Sequence, residues 1–197
     1  MKVYSYVMRC DTGFAPNPFW DYCTLAACTP NHRGIRPQIG DWIIGTGTID
    51  KGNKLIYAMQ ISEIISFDQY YADPRFKKKI PVINSEDWRL RYGDNIYYHN
   101  KSGNWKQHPS INHTKKENII QDQRHPIVFI AQHFYYFGSK AKMIPPKYDS
   151  LIFKRHGVKC NHIPKVAEGF LAWLRTNCKP GIQGNPRDCK YKPEKCF

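Results

Sequence analysis

Three residue types in this chain can combine into nucleophilic and proton-transfer chemistry: Cys23, Asp41 and His133. Cys23 opens the run Cys23-Thr24-Leu25-Ala26-Ala27-Cys28. Asp21 is placed to cap a short helical turn from Tyr22 to Cys28 that Pro30 ends. A thiol at the start of such a turn is drawn toward thiolate by the positive end of the helix dipole. Core packing is the competing account, because cysteine is among the most buried residue types. His133 carries an imidazole that exchanges protons near neutral pH, or is satisfied inside a core. Asp41, in Gly40-Asp41-Trp42, supplies a carboxylate or only turn chemistry. In a catalytic arrangement Cys23 is the nucleophile, His133 or Asp41 carries the proton and Arg36 anchors the substrate.

A second set of residues suits binding. Asn17 lies between Pro16 and Pro18 in a run that continues to Phe19. The restricted backbone there can aim the Asn17 amide at a ligand, or simply shape a turn. Thr24 and Arg36 add a hydroxyl and a guanidinium, the latter suited to phosphate or carboxylate or to plain surface solvation. His133-Phe134-Tyr135-Tyr136-Phe137-Gly138 holds four consecutive aromatics. Successive strand residues face opposite ways, so some of these rings must line a cavity, an interface or the surface.

Charge favours a polyanionic partner. The 197 residues contain 30 Lys and Arg against 16 Asp and Glu, a net charge of +14. Segment 72–92 concentrates Lys77, Lys78, Lys79, Arg89 and Arg91 beside Trp88 and Tyr92, and the last twenty residues are again basic, with Tyr191 among them. Cations hold phosphates and interleaved rings offer stacking faces, so these five residues are expected to contact a nucleic-acid backbone. The alternative use of surplus lysine is solubility.

These side chains need a scaffold. Alternation in Val3 to Met8 predicts an opening strand. Trp42 to Gly47 and Lys54 to Ile65 predict a hairpin, Ile96 to His99 with Trp105 a second one, and Ile127 to Gln132 a buried strand. Phe67 to Tyr71 reads as one helical turn. Pro164 to Asn177 is the clearest helix, with Pro in its first turn and Val166, Phe170, Trp173 and Leu174 on one face. Residues 139–163 read as loop. The expected class is α+β, with a mainly antiparallel, partly closed barrel, short helices and one C-terminal amphipathic helix. One domain over 1–177 and a basic, Cys- and Pro-rich tail over 178–197, extended or partly disordered, complete the outline.

Other classes are excluded by missing signatures. The chain has no phosphate-binding loop, dinucleotide fingerprint, serine-hydrolase elbow, HExxH zinc motif or zinc-deaminase pattern. No apolar run is long enough for a membrane span and no secretion signal is visible, so a cytoplasmic protein without a membrane partner is expected. The seven cysteines (10, 23, 28, 160, 178, 189 and 196) are odd in number, which argues against a disulfide framework. Cys23-x4-Cys28, or Cys160 and His162 with Cys178, are partial zinc sets only. Neither metal nor cofactor is expected.

The ordered motifs Phe14-Ala15-Pro16-Asn17-Pro18-Phe19, Cys23-Thr24-Leu25-Ala26, Ile35-Arg36, Gly40-Asp41-Trp42, Gly45-Thr46-Gly47, Tyr57-Ala58-Met59, Asp73-Pro74-Arg75-Phe76, Gly93-Asp94-Asn95-Ile96-Tyr97-Tyr98, His133 to Gly138 and Gly181-Ile182-Gln183-Gly184-Asn185-Pro186 occur in that order. Together they resemble the nucleotide modification associated domain family of type 2, over nearly the whole chain up to about Asp188. Pro37 follows Arg36 where that family commonly has a second basic residue, which puts a paired basic clamp in doubt. Gly40 to Glu63 is more loosely similar to PUA-like barrels of the EVE, ASCH and YTH types, which implies a base held between aromatic side chains, with Trp20, Trp42 and Tyr136 as the rings and Asn17 as the amide that reads its edge. The resemblance implies a protein directed at DNA or nucleotide within a base-modification system. It would recognise a modified base in an aromatic pocket, alongside other components of a modification or phage-defence system. Its alternatives are an enzyme of base or nucleoside modification using Cys23, and a defence partner without chemistry.

Overall fold

The computed structural model describes residues 1–154, 157–161 and 164–190. Strand β1 (Val3–Val7) is followed by β2 (Cys23–Leu25) and helix α1 (Thr29–His32). Then come β3 (Trp42–Thr46), β4 (Leu55–Gln60), β5 (Glu63–Ser66), α2 (Phe67–Ala72) and α3 (Trp88–Arg91). The hairpin β6 (Tyr97–His99) and β7 (Trp105–Gln107) precedes α4 (Lys116–Asp122), β8 (Ile127–Ala131) and β9 (Phe134–Tyr136). Last are β10 (Val158–Asn161), α5 (Pro164–Asn177) and β11 (Gly181–Ile182).

A six-stranded sheet in the order β10-β1-β3-β4-β9-β11 forms the centre. Its β1–β3 and β9–β11 ladders are parallel and the others antiparallel. A second sheet, β2-β8-β5, and the β6–β7 ribbon are antiparallel. The α+β class is as expected, but the central sheet is open, with β10 and β11 at its edges, and not closed into a barrel.

Period-two alternation divides the core. Trp42, Ile44, Ala58 and Tyr135 pack on one face of the central sheet. Ile43, Tyr57, Met59 and Tyr136 pack on the other, against Cys23, Leu25 and Phe129 of the second sheet. Helix α5 covers the first face with Phe170, Leu171 and Leu174, all within 1% of full burial. Each such side chain contributes about 1.5–3 kcal/mol. Among the described residues, no helix is long and apolar enough to cross a membrane.

Several expectations are revised. Residues 54–65 split at Ile61-Ser62, so β4 stays in the central sheet while β5 pairs with β8. Tyr22 to Cys28 is not a helical turn. The backbone of Thr24 exchanges hydrogen bonds with Asn17, and Cys23 to Leu25 pair with β8, so tertiary ladders override local capping. Helix α4 and strand β10 carried no clear signal. The tail is not loose as far as Lys190: Gly181–Ile182 add a strand beside β9, Asp188 N–H donates to Asp11 O, and Cys189 is buried. Tyr191, Lys192, Lys195 and Cys196 lie outside the described residues.

Candidate functional site: a basic aromatic ledge

Segment 74–79 is a short 3-10 helix, capped by Asp73, whose side chain accepts from Arg75 N–H. It carries three consecutive lysines with different fates. Lys77 Nζ sits 4.9 Å over the Tyr71 ring, and Lys78 Nζ sits 5.0 Å over Trp20. Arg89 covers Trp20 at 4.5 Å. Tyr71 stacks on Tyr98 with centroids 4.2 Å apart and an interplanar angle of 11°, and His108 lies against both rings. Trp20 with Arg89 and Lys78, and Lys77 with Tyr71, Tyr98 and His108, thus form two groups of contacts that meet at the consecutive residues Lys77 and Lys78. Lys77 and Lys78 are exposed and carry no ion pair among the described residues. Arg89 is partly neutralised by Asp87 at 2.7 Å, Arg75 is bound by Glu63 and Asp73, and Arg91 Nε donates to Ser85 O. Trp20 and Asp21 both adopt left-handed backbone, at φ 63° and 67°, which turns the loop back toward Thr24.

Lys79 goes inward. Its Nζ donates to Asn17 O (3.0 Å), Asn17 Oδ1 (2.9 Å) and Tyr22 O (2.9 Å), and the residue is fully buried. Asn17 Nδ2 donates to Tyr92 O at 3.0 Å. Thr24 Oγ1 and Tyr70 OH each donate to Asp94 at 2.7 Å. Burial lowers the Lys79 ammonium to about 8, with Asp94 opposing that shift, and burial raises the Asp94 carboxyl. This network pins the Asn17–Thr24 loop to segment 79–94. The expected roles of Asn17 and Thr24 in substrate binding, and of Lys79 at a phosphate, meet side chains already saturated in the interior.

The remaining residues singled out from sequence are dispersed. Cys23 is fully buried in β2, and burial pushes its thiol well above the ordinary range, so the expected helix-dipole activation is absent. Asp41 accepts from Lys2 N–H (2.7 Å) and Gln38 N–H (2.9 Å), bracing the start of β3. His133 is half-buried between Gln60 Oε1 (3.4 Å) and Tyr135 OH (3.2 Å); burial, then Arg175, holds its pKa below the usual histidine value. Phe19 is buried edge-on to Trp88. Arg36 is exposed. Trp42 and Tyr136 occupy opposite faces of the central sheet, and Tyr136 OH donates to buried Asp11 at 2.5 Å. The pocket expected from Trp20, Trp42, Tyr136 and Asn17 is therefore not assembled; strand parity separates its walls.

A cluster missed from sequence lies elsewhere. Asp122, at the end of α4 with a fully buried side chain, bonds His32 Nε2, His113 Nδ1 (2.5 Å) and Tyr97 OH (2.6 Å). His32 and His113 border a cavity of about 270 Å³ that is also lined by Tyr6, Met8, Phe14 and Asn112. The partners are 81 to 90 positions apart in pairs such as His32 with Asp122 and His32 with His113, and no local spacing signals their meeting. Among the described residues no group of three or more His, Cys, Asp or Glu is disposed to hold a metal ion. His162, in the Cys160 and Cys178 combination, lies outside them.

An open mixed sheet, a smaller sheet packed on it and a rim of rings and lysines define a small α+β protein with a basic, aromatic surface. The chain matches the family described as nucleotide modification associated domain 2 over residues 1–193, and belongs to it. The ordered motifs indicated the same family. No curated protein and no solved structure matched the chain.

Proposed function

We propose that this protein binds nucleic acid within a nucleotide-modification system, with the ledge as its contact surface. The phosphate backbone runs along Lys77 and Lys78, with Arg89 beside them, and a base stacks on Trp20 or on the Tyr98–His108 edge. Family membership supports the nucleotide-directed part of this reading. The observation that carries the rest is the meeting, at the consecutive residues Lys77 and Lys78, of two cation–ring groups: Arg89 and Lys78 on Trp20, and Lys77 on the Tyr71–Tyr98–His108 rings. The rings are half-buried; the ring area left open stacks on bases without regard to sequence, and adjacent ammonium groups release counterions from phosphates. A modified base would be read at this ledge through its ring face. The unpaired thiols among the described cysteines suit work in the reducing cytoplasm, beside the other components of such a system.

The test is fluorescence anisotropy of labelled single-stranded and duplex DNA across a salt series. The Lys77→Ala/Lys78→Ala variant is expected to bind about tenfold more weakly and to reduce the salt slope by about two. Trp20→Ala should weaken single-strand binding by about 1–3 kcal/mol. Unchanged affinity and slope in both variants would overturn the assignment of the ledge.

A further inference from the structure

The His32–Asp122–His113 cluster shares no side chain with the contacts that make the ledge, yet the two meet at strand β6. Tyr97 reaches Asp122 at 2.6 Å, while its neighbour Tyr98 stacks on Tyr71. Alternation thus puts a carboxylate-anchored histidine pair on one face of the ribbon and the ledge on the other.

The chemistry of the cluster follows from Asp122. Burial alone would raise its carboxyl, but hydrogen bonds from His113 and His32, with support from Tyr97, hold it below the usual carboxylate range. An ionised carboxylate only accepts hydrogen bonds, so His32 Nε2 and His113 Nδ1 carry the protons that face it. That fixes the tautomers. His32 Nδ1 and His113 Nε2 are left as acceptors in the neutral rings, and neither has a hydrogen-bond partner among the described residues. A carboxylate behind an imidazole orients the ring and stabilises the imidazolium once a proton arrives. The ring centroids are 6.3 Å apart, close enough for one small molecule to address both.

Two further features point to a ligand. The cavity of about 270 Å³ falls just below the roughly 300–1,000 Å³ of ordinary small-molecule pockets. It has an aromatic wall, since Phe14 packs at 5.0 Å from His113. The Asn112 amide nitrogen, on the same lining, is shielded from solvent and has no hydrogen-bond partner among the described residues. A stranded donor of this kind costs free energy unless something in the cavity accepts from it.

We propose that this cavity binds a nucleobase-sized heterocycle and that His32 and His113 exchange protons with it. In the forward step His113 Nε2 takes a proton from an N–H or O–H of the ligand. The electron pair of the broken bond stays on the ligand, and Asp122 balances the new imidazolium through the Nδ1–H bond. His32, once its Nδ1 has taken a proton from solvent, returns that proton to a second ligand atom and reverts to the neutral ring. The ligand class rests on the nucleotide-directed reading above; the proton-transfer chemistry rests on the cluster alone.

The experiment is a titration of the full chain with adenine, guanine, cytosine, thymine and their nucleosides, followed by the imidazole ¹⁵N and ¹³C signals. At least one probe is expected to move both the His32 and His113 signals saturably and to shift His113 Nε2 toward its protonated position. His113→Gln should weaken that probe about tenfold. Asn112→Ala, which removes only an unsatisfied donor, should weaken it about threefold or more without loss of fold. Asp122→Asn should redistribute the histidine tautomers, a signature that packing alone does not produce. If no probe moves either ring, or the probes bind His113→Gln and Asn112→Ala as they bind the parent, the proposal is overturned. DNA affinity measured on the same samples separates the two sites. The cavity variants should leave it within about twofold, and the Lys77→Ala/Lys78→Ala variant should keep base binding while losing DNA.

Discussion

Lys79 shows how one residue changes meaning between sequence and structure. In the run Lys77-Lys78-Lys79 it looks interchangeable with its neighbours, yet it is fully buried and holds three oxygens of the Asn17–Tyr22 loop. Its ammonium is lowered to about 8, below the unfolded value of 10.5. A lowered folded pKa in a lysine means that the unfolded chain binds more protons between those two values, so stability rises with pH across that window. The buried Cys23 and Cys28 thiols, held above their unfolded values, lose stability over the same range, so the lysine is read as a difference: relative to Lys79→Met, the native chain should gain about 2 kcal/mol in urea unfolding from pH 8 to pH 10. At neutral pH Lys79→Met should cost about 3 kcal/mol, because three acceptors and Asp94 lose their donor or counter-charge. Tyr136→Phe tests the other buried pair. It removes the donor to Asp11 Oδ1 and should cost about 1–2 kcal/mol of stability, with DNA affinity unchanged. A loss of affinity without a loss of stability would restore Tyr136 to a binding role. Residue type was legible throughout, but burial was not. Whether a lysine, cysteine or tyrosine faces solvent depends on which distant strand lies opposite it.

At the scale of elements, the strongest local signals held. The β3–β4 and β6–β7 hairpins, α2 and α5 were all visible as periodicity, caps or turns, and Ser66 and Gln69 form a reciprocal capping box at the start of α2. Elements created by partners were not visible. Strand β2 exists because β8 pairs with it, and β11 because β9 does. The docking of segment 183–188 on the end of β9 depends on Gly138. Its φ is +53°, and an added Cβ would stand 2.2 Å from Asn185 O. Gly138→Ala should lower stability by about 2 kcal/mol or more, read from the denaturation midpoint. It should also raise amide exchange at Ser139, whose N–H donates to Asn185 O. Exchange confined to other segments would show that this contact does not hold the C-terminal segment.

For the whole molecule, charge and sheet parity decide different things. A net charge of +14 opposes compaction through self-repulsion, and the surface pairs Arg75–Glu63, Arg89–Asp87 and Lys154–Asp149 offset that repulsion only weakly. Screening should favour the folded state. The thermal midpoint is expected to rise as sodium chloride increases from low salt to about 0.5 M, even as DNA affinity falls. A falling midpoint would mean that the ion pairs outweigh the net charge. The sequence by itself determined the family, the α+β class, the basic balance and the elements with a strong local period, because composition, motif order and periodicity are properties of the chain. Only the tertiary structure decided that Trp42 and Tyr136 stand on opposite faces of one sheet, that Lys79 leaves the cationic run, and that His32, His113 and Asp122 meet. The physical reason is common to all three: strand parity and long-range pairing, not spacing along the chain, set which side chains share a surface and which share a core.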